Sequence, residues 1–138
     1  MSNALVVIPT YNERENVEAI AHAALAADPD LDVLFVDDGS PDGTGEIADS
    51  LAQAQPRIHV LHRQEKQGLG RAYVAGFRWA LDRHYELVFE MDADFSHNPA
   101  DLPRLRAATA QADLVLGSRY LHGVRVINWP LSRLILSK

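Results

Sequence analysis

Asp32-Val33-Leu34-Phe35-Val36-Asp37-Asp38-Gly39-Ser40-Pro41-Asp42-Gly43 runs from a strand-length apolar stretch straight into a loop of carboxylates and turn formers. Asp32–Val36 predicts a buried strand, and the segment after the loop places Ile47, Ala48 and Leu51 at helical spacing. The same strand, loop and helix order repeats on both sides. Upstream, Ala4–Ile8 is a continuous apolar run closed by Pro9, as expected of a strand covered on both faces. Asn12 then reads as an N-cap with Glu15 three residues on, ahead of Val17, Ile20, Ala21, Ala24 and Leu25 on one helical face. Downstream, Ile58–Leu61 predicts a third strand. A loop through Gly68 and Gly70 then precedes an amphipathic pattern of Tyr73, Gly76, Phe77, Ala80 and Leu81. Glu86–Met91 is a fourth strand, Asn98-Pro99 opens a further helix, and Asp113–Leu116 is a fifth strand. Repeated strand–helix alternation implies an α/β fold with a largely parallel sheet.

The chain has 138 residues and a mass of 15.3 kDa, the size of one domain. Its apolar fraction of 47% is that of a globular core and excludes a disordered or fibrous chain. Cysteine is absent, which removes disulfides, thiolate metal sites and cysteine nucleophiles and is compatible with a reducing cytoplasm. The N-terminus shows no basic stretch followed by an apolar run, so no secretory signal or membrane span is expected. A net charge of −6 argues against a nucleic-acid binder, because such proteins neutralise phosphates with excess Lys and Arg. All 19 acidic residues precede residue 114, whereas the tail carries Arg119, Arg125, Arg133 and Lys138. Leu131, Leu134 and Ile135 begin another helical pattern with no closing signal, which reads as a truncated chain.

Ligands of open parallel sheets bind beyond the carboxyl ends of the strands, where helix N-termini and free N–H groups converge. The loops at those positions hold the unusual chemistry. Asp92 and Asp94, two residues apart in extended chain, place their carboxylates on one side with Cα atoms roughly 6–7 Å apart. Paired carboxylates repel unless a cation joins them, and oxygen donors of this kind suit Mg²⁺ or Mn²⁺ shared with a substrate diphosphate. Asp92 capping a turn and Asp94 facing solvent is the bland alternative. Of Asp37 and Asp38, one satisfies the N–H groups of its own loop and the other is left for a base or ribose, although turn chemistry alone also accounts for them. Tyr11 and Glu13 wall the same region, unless Glu13 merely complements a helix dipole. Gly68 and Gly70 beside Lys66 allow backbone to approach a phosphate. Arg119 after the fifth strand is suited to a phosphate or to an acidic partner.

Other chemistries are not supported. No P-loop is present, and Gly43-x-Gly45-x-x-Ala48 lies too far past its strand to be a dinucleotide fingerprint. The six histidines lack zinc spacing, and Ser40, Ser96 and Ser118 lack a nucleophile elbow.

Val7-Ile8-Pro9-Thr10-Tyr11-Asn12-Glu13, Val36–Thr44, Gly68-Leu69-Gly70, Met91–Pro99 and Gly117-Ser118-Arg119-Tyr120, in this order, resemble family 2 inverting glycosyltransferases, and within them the polyprenol-phosphate (dolichol-phosphate) mannosyltransferases. The resemblance covers nearly the whole chain. It implies a GT-A, Rossmann-like fold with helices on both faces, a single domain over residues 1–138 that lacks its acceptor-side portion, and transfer of mannose from GDP-mannose to a polyprenyl phosphate. It further implies that Pro9, Tyr11, Glu13, Val36 and Asp38 surround the nucleoside, with Asp38 on the base and Asp37 structural. Asp92, Ala93 and Asp94 would form the donor site with Asp94 as ligand to Mg²⁺ or Mn²⁺, and Arg119 and Arg133 would meet the diphosphate or acceptor phosphate. A location peripheral to the cytoplasmic membrane face follows from the lipid acceptor, and the basic tail with Trp129 is suited to a lipid surface. An alternative donor such as UDP-glucose and an inactive nucleotide-sugar-binding module are the neighbouring possibilities. Asp92-x-Asp94-x-Ser96 also resembles the aspartyl-nucleophile loop of haloacid-dehalogenase-like phosphatases, but there the motif follows the first strand and here the fourth.

Overall fold

The computed structural model describes residues 3–64, 66–109, 114–118 and 123–127. Strands β1 (Ala4–Thr10), β2 (Leu31–Asp37), β3 (Ile58–His62) and β4 (Leu87–Glu90) form one sheet in the order β3-β2-β1-β4, every pair parallel. The register sets Val6 beside Val33 and Phe89, and Phe35 beside Val60. Crossovers between these strands contain α1 (Val17–Ala27), α2 (Thr44–Ala54) and α3 (Leu69–Asp82).

The central strands are apolar almost throughout because both sheet faces are covered. Ala4, Val6, Ile8, Leu31, Val33 and Phe35 pack on one face with Val17, Ile20, Ala21 and Ala24 of α1 and Ala48 of α2. Leu5, Val7, Leu34 and Val36 pack on the other against Ala72, Tyr73 and Ala80 of α3. Asn98 caps the short 3₁₀ turn Pro99–Asp101 by accepting from the Ala100 N–H at 3.0 Å, as its position before Pro99 predicts. That turn leads into α4 (Leu102–Ala108), whose Leu102 joins the α1 face.

Three expectations are corrected. Helix α1 starts at Val17, and Asn12 is a left-handed turn residue with φ 56° rather than a cap. The N–H groups of Asn12, Glu13 and Arg14 bond to the side chains of Ser40, Thr44 and Asp42, so the loop after β2 holds this segment alongside the bonds that Glu13 O accepts from the Asn16 and Val17 N–H groups at the start of α1. In α3 the buried row is Ala72, Gly76 and Ala80 with Tyr73, whereas Leu81 is 43% exposed. The small residues recur every four positions and let the helix backbone settle onto β1, which turns Leu81 outward. The fifth strand, β5 (Leu114–Ser118), lies outside the parallel sheet and pairs antiparallel with β6 (Gly123–Ile127), from Leu114 opposite Ile127 to Ser118 opposite Gly123. Four residues separate these strands, too few for the crossover a parallel pair requires. The helical pattern beginning at Leu131 lies outside the described residues. No helix among the described residues is long and apolar enough to cross a membrane.

A Cβ on Gly76 would stand 2.4 Å from Val7 Cγ1 and 3.1 Å from Cγ2. Gly76→Ala is therefore expected to destabilise the fold by roughly 1–3 kcal/mol through overpacking, outweighing the helix propensity it gains. Urea denaturation checks this, and a midpoint equal to or above that of the parent chain would contradict the close approach of α3 to β1.

Candidate active site

The geometry beyond the strand ends is fixed by Asp37, a carboxylate only 2% exposed. Oδ1 accepts from Thr10 Oγ1 at 2.8 Å and from Ser40 Oγ at 2.6 Å, and Oδ2 accepts from the Ser40 N–H at 3.1 Å. Ser40 Oγ in turn accepts from the Asn12 N–H, so one buried charge ties the end of β1 to the loop after β2. The backbone adds two further links, from the Asp38 N–H to Thr10 O at 3.1 Å and from the Arg63 N–H to Asp37 O at 2.7 Å. Gly39 makes the turn possible. Its φ is +70°, and a Cβ there would sit 2.8 Å from the Gln64 carbonyl oxygen. Asp37 is thus the member of the pair that serves its own loop, as the sequence allows.

This scaffold surrounds a hollow of about 300 Å³ fed by four strand ends. Pro9, Thr10, Tyr11 and Glu13 come from β1, and Asp38 from β2. Lys66, Gly68, Leu69 and Ala72 come from the β3 loop and the start of α3, and Asp92, Ala93 and Asp94 from the segment after β4. Val36, expected beside the nucleoside, packs in the core against the α3 face and does not line the hollow. Gly43 and Gly45 stand at the start of α2 and do not line it. Arg119 and Arg133 lie outside the described residues.

Electrostatics set Asp38 and Asp94 apart. Burial pushes the Asp38 carboxyl above its ordinary range, Arg63 and Lys66 oppose the rise, and Asp37 adds to it. Arg63 Nη1 lies 3.3 Å from Asp38 Oδ1. Asp92 accepts from the Tyr73 hydroxyl at 2.9 Å and from Ser96 Oγ at 3.3 Å, and its own N–H donates to His97 Nδ1 at 3.1 Å. Burial, together with the hydrogen bond to Asp92, holds the Tyr73 phenol far above its usual range, so it remains a donor. Ser96, through its hydroxyl and its N–H, keeps the exposed Asp94 carboxyl below the usual range. Between the two, Ala93 turns into the core while both carboxylates face the hollow.

Among the described residues, no group of three His, Cys, Asp or Glu is placed to hold a metal ion. One or two carboxylates completed by substrate phosphates and water is how Mg²⁺ is usually held, and the oxygen-only pair of Asp92 and Asp94 fits that arrangement. Sequence reasoning missed two residues that organise it. Tyr73 reads as a core-facing helix residue, yet its hydroxyl needed a partner once buried, which is the clue it offered. Ser96 reads only as a failed nucleophile, although Asp-x-Ser is a common side-chain-to-backbone turn.

Asp37→Ala leaves the Thr10 and Ser40 donors unmatched and is expected to cost about 3 kcal/mol. Asp38→Asn is expected to be at least as stable as the parent chain at pH 7. A raised pKa means that the folded state favours protonated Asp38, so the stability difference should shrink as pH falls into the carboxylate range. Chemical denaturation of both variants between pH 4 and 7, taken as about that range for carboxylates, measures this; a destabilised Asp38→Asn at neutral pH would contradict it.

Residues 5–137 match the family model described as Glycosyl transferase family 2. The polyprenol monophosphomannose synthase of Mycolicibacterium smegmatis is 58% identical over 97% of this chain and 51% of its own length. The undecaprenyl-phosphate mannosyltransferase of Micrococcus luteus is 54% identical over 96% of this chain and 55% of its own length. The chain thus spans about half the length of these relatives. Glucosyl-3-phosphoglycerate synthase of Mycobacterium tuberculosis, solved with Mn²⁺, UDP and glucosyl-3-phosphoglycerate, superposes with a TM-score of 0.60 at 22% identity, covering 80% of this chain and 40% of that one. That likeness extends to the fold alone. Together with the convergence of four loaded loops on one rim, the family match establishes that this chain belongs to glycosyl transferase family 2.

Proposed function

We propose that the chain is the donor-binding domain of a polyprenol-phosphate mannosyltransferase, taking GDP-mannose into the hollow at the strand ends. The observation that carries this is the meeting of Asp38, Glu13, Asp92 and Asp94 around one cavity of about 300 Å³. The cavity is large enough to take up much of a nucleotide, and its carboxylates are divided between two ends. The two relatives described above are named for polyprenyl-phosphate mannose chemistry, which supports mannose as the sugar and a lipid phosphate as acceptor.

In this proposal Asp38, buried and oriented by Arg63, accepts from base N–H groups, and Tyr11 offers its ring face for stacking. Pro9 and Glu13 close the nucleoside side, and Val36 supports the floor from the core. Asp94, with Asp92 nearby, would hold Mg²⁺ or Mn²⁺ against the diphosphate, where the ion supplies charge neutralisation to the departing GDP. Tyr73 and Ser96 orient Asp92 towards the sugar and ribose end. An acceptor phosphate oxygen forms the new bond to the anomeric carbon from the face opposite GDP while the bond to GDP breaks, inverting that centre. A phosphate is already ionised near neutral pH, so no general base is assigned. Arg119 and Arg133 are proposed to meet the diphosphate or acceptor phosphate. Because the acceptor is a lipid, the working position is peripheral, at the cytoplasmic face of the membrane.

Calorimetric titration of the chain with GDP-mannose, GDP-glucose, UDP-glucose and UDP-N-acetylglucosamine, each with and without Mg²⁺, tests the donor. GDP-mannose is expected to bind most tightly, and a preference for UDP-glucose would overturn the assignment. Asp94→Asn should lower metal-dependent affinity by at least about tenfold, the scale of a lost charge-assisted contact, and leave circular dichroism unchanged. Identical titration curves would remove Asp94 as ligand. Incubation with polyprenyl phosphate then separates transfer, read as mannolipid, from binding alone.

A further inference from the structure

The described lining of the hollow holds four carboxylates, at Glu13, Asp38, Asp92 and Asp94, and a single base, Lys66. The Lys66 ammonium stands over the Tyr11 ring, 4.7 Å from its centroid. Tyr11 is 37% exposed and Lys66 is exposed as well, so packing fixes neither, and a cation–π contact at an exposed site is readily exchanged. The base of the loop, by contrast, is rigid. The Arg63 N–H is bonded to Asp37 O, and the Arg63 side chain is bonded to Asp38 and Gln67. On the far side of Lys66, Gly68 has φ +98°, and a Cβ there would meet nothing within 4 Å.

Two demands compete for the same ring face. A nucleobase bonded to Asp38 and stacked on Tyr11 needs the position that the ammonium holds. A diphosphate reaching from that base towards Asp92 and Asp94 brings negative charge into a cavity already negative, and Lys66 is the described lining residue able to offset it.

We propose that Lys66 is a donor-discriminating residue, whose ammonium yields the Tyr11 ring to the incoming nucleobase and moves onto the diphosphate. This inference rests on the donor reading given above and deepens it. It has a consequence that an ordinary surface lysine would not have. Lys66 opposes binding of a bare nucleoside and favours a nucleoside diphosphate, so that removing it shifts the two ligands differently.

The test is titration of the chain and its Lys66→Met and Lys66→Arg variants with guanosine and with GDP in Mg²⁺, by ligand-observed NMR and calorimetry. Lys66→Met is expected to weaken GDP about tenfold, the loss of one charge-assisted contact, while guanosine binds as well as before or more tightly. Lys66→Arg should retain GDP. The GDP affinity of the parent chain should also fall more steeply with added KCl than that of Lys66→Met. Equal weakening of guanosine and GDP would show Lys66 acting only through the shape of Tyr11, and unchanged GDP affinity would remove it from the site; either outcome overturns the proposal. If the parent chain prefers UDP to GDP, the base assignment fails separately, and the same comparison with uridine and UDP still judges Lys66. Failure of the parent chain to bind any nucleoside diphosphate would overturn both.

Discussion

One buried carboxylate organises the functional rim. Asp37 sits at the end of a strand covered on both faces, where an unpaired charge would be costly, and it is stabilised by three donors, one at the end of β1 and two in the loop after β2. Those bonds make the loop after β1 and the loop after β2 a single unit. Ser40 passes the restraint on to the Asn12 N–H, and Thr44 and Asp42 extend it to Glu13 and Arg14. The placement of Tyr11, Glu13 and Asp38 around a common hollow depends on this stitching, since none of the three belongs to a helix or is fixed by the core alone.

A second arrangement balances the first at the other end of the hollow. Asp92 is held by Tyr73 and Ser96, and Asp94 by Ser96, so two carboxylates that repel each other are kept facing the same space. The phenol comes from α3, which lies close to β1 because Gly76 admits Val7. A packing detail in the core thereby sets the height of a hydroxyl at the rim. The described lining of the hollow is rich in acceptors and holds one cation, Lys66, which in the donor reading proposed above suits a ligand that arrives with metal ions.

Much of this was legible in the chain. Ala4–Ile8 and Val33–Val36 are apolar without alternation, as strands buried on both faces are, and the parallel sheet follows from the helices between them. The loaded loops after the first four strands mark the rim, whereas the loop after β5, expected on the same edge, belongs to a strand outside the parallel sheet. The start of α1 was not legible, because the local signal of Asn12 and Glu15 is a genuine capping pattern, and what overrides it is a set of side chains some 30 residues later in the sequence. The pairing of β5 with β6 was hidden for a related reason, since a short apolar run specifies a strand but not its neighbour.

Sequence alone determined which central-strand residues must be buried and which chemistry stands at each strand end, because periodicity and residue type are local properties of the chain. Tertiary structure decided which carboxylate serves the fold and which faces the cavity, giving Asp37 to Thr10 and Ser40 and leaving Asp38 to the hollow. It also brought Tyr73 to Asp92 and Lys66 to Tyr11. Such partnerships depend on distances of a few ångströms between segments far apart in the chain, and only the packing of α3 and the loops against the sheet sets those distances.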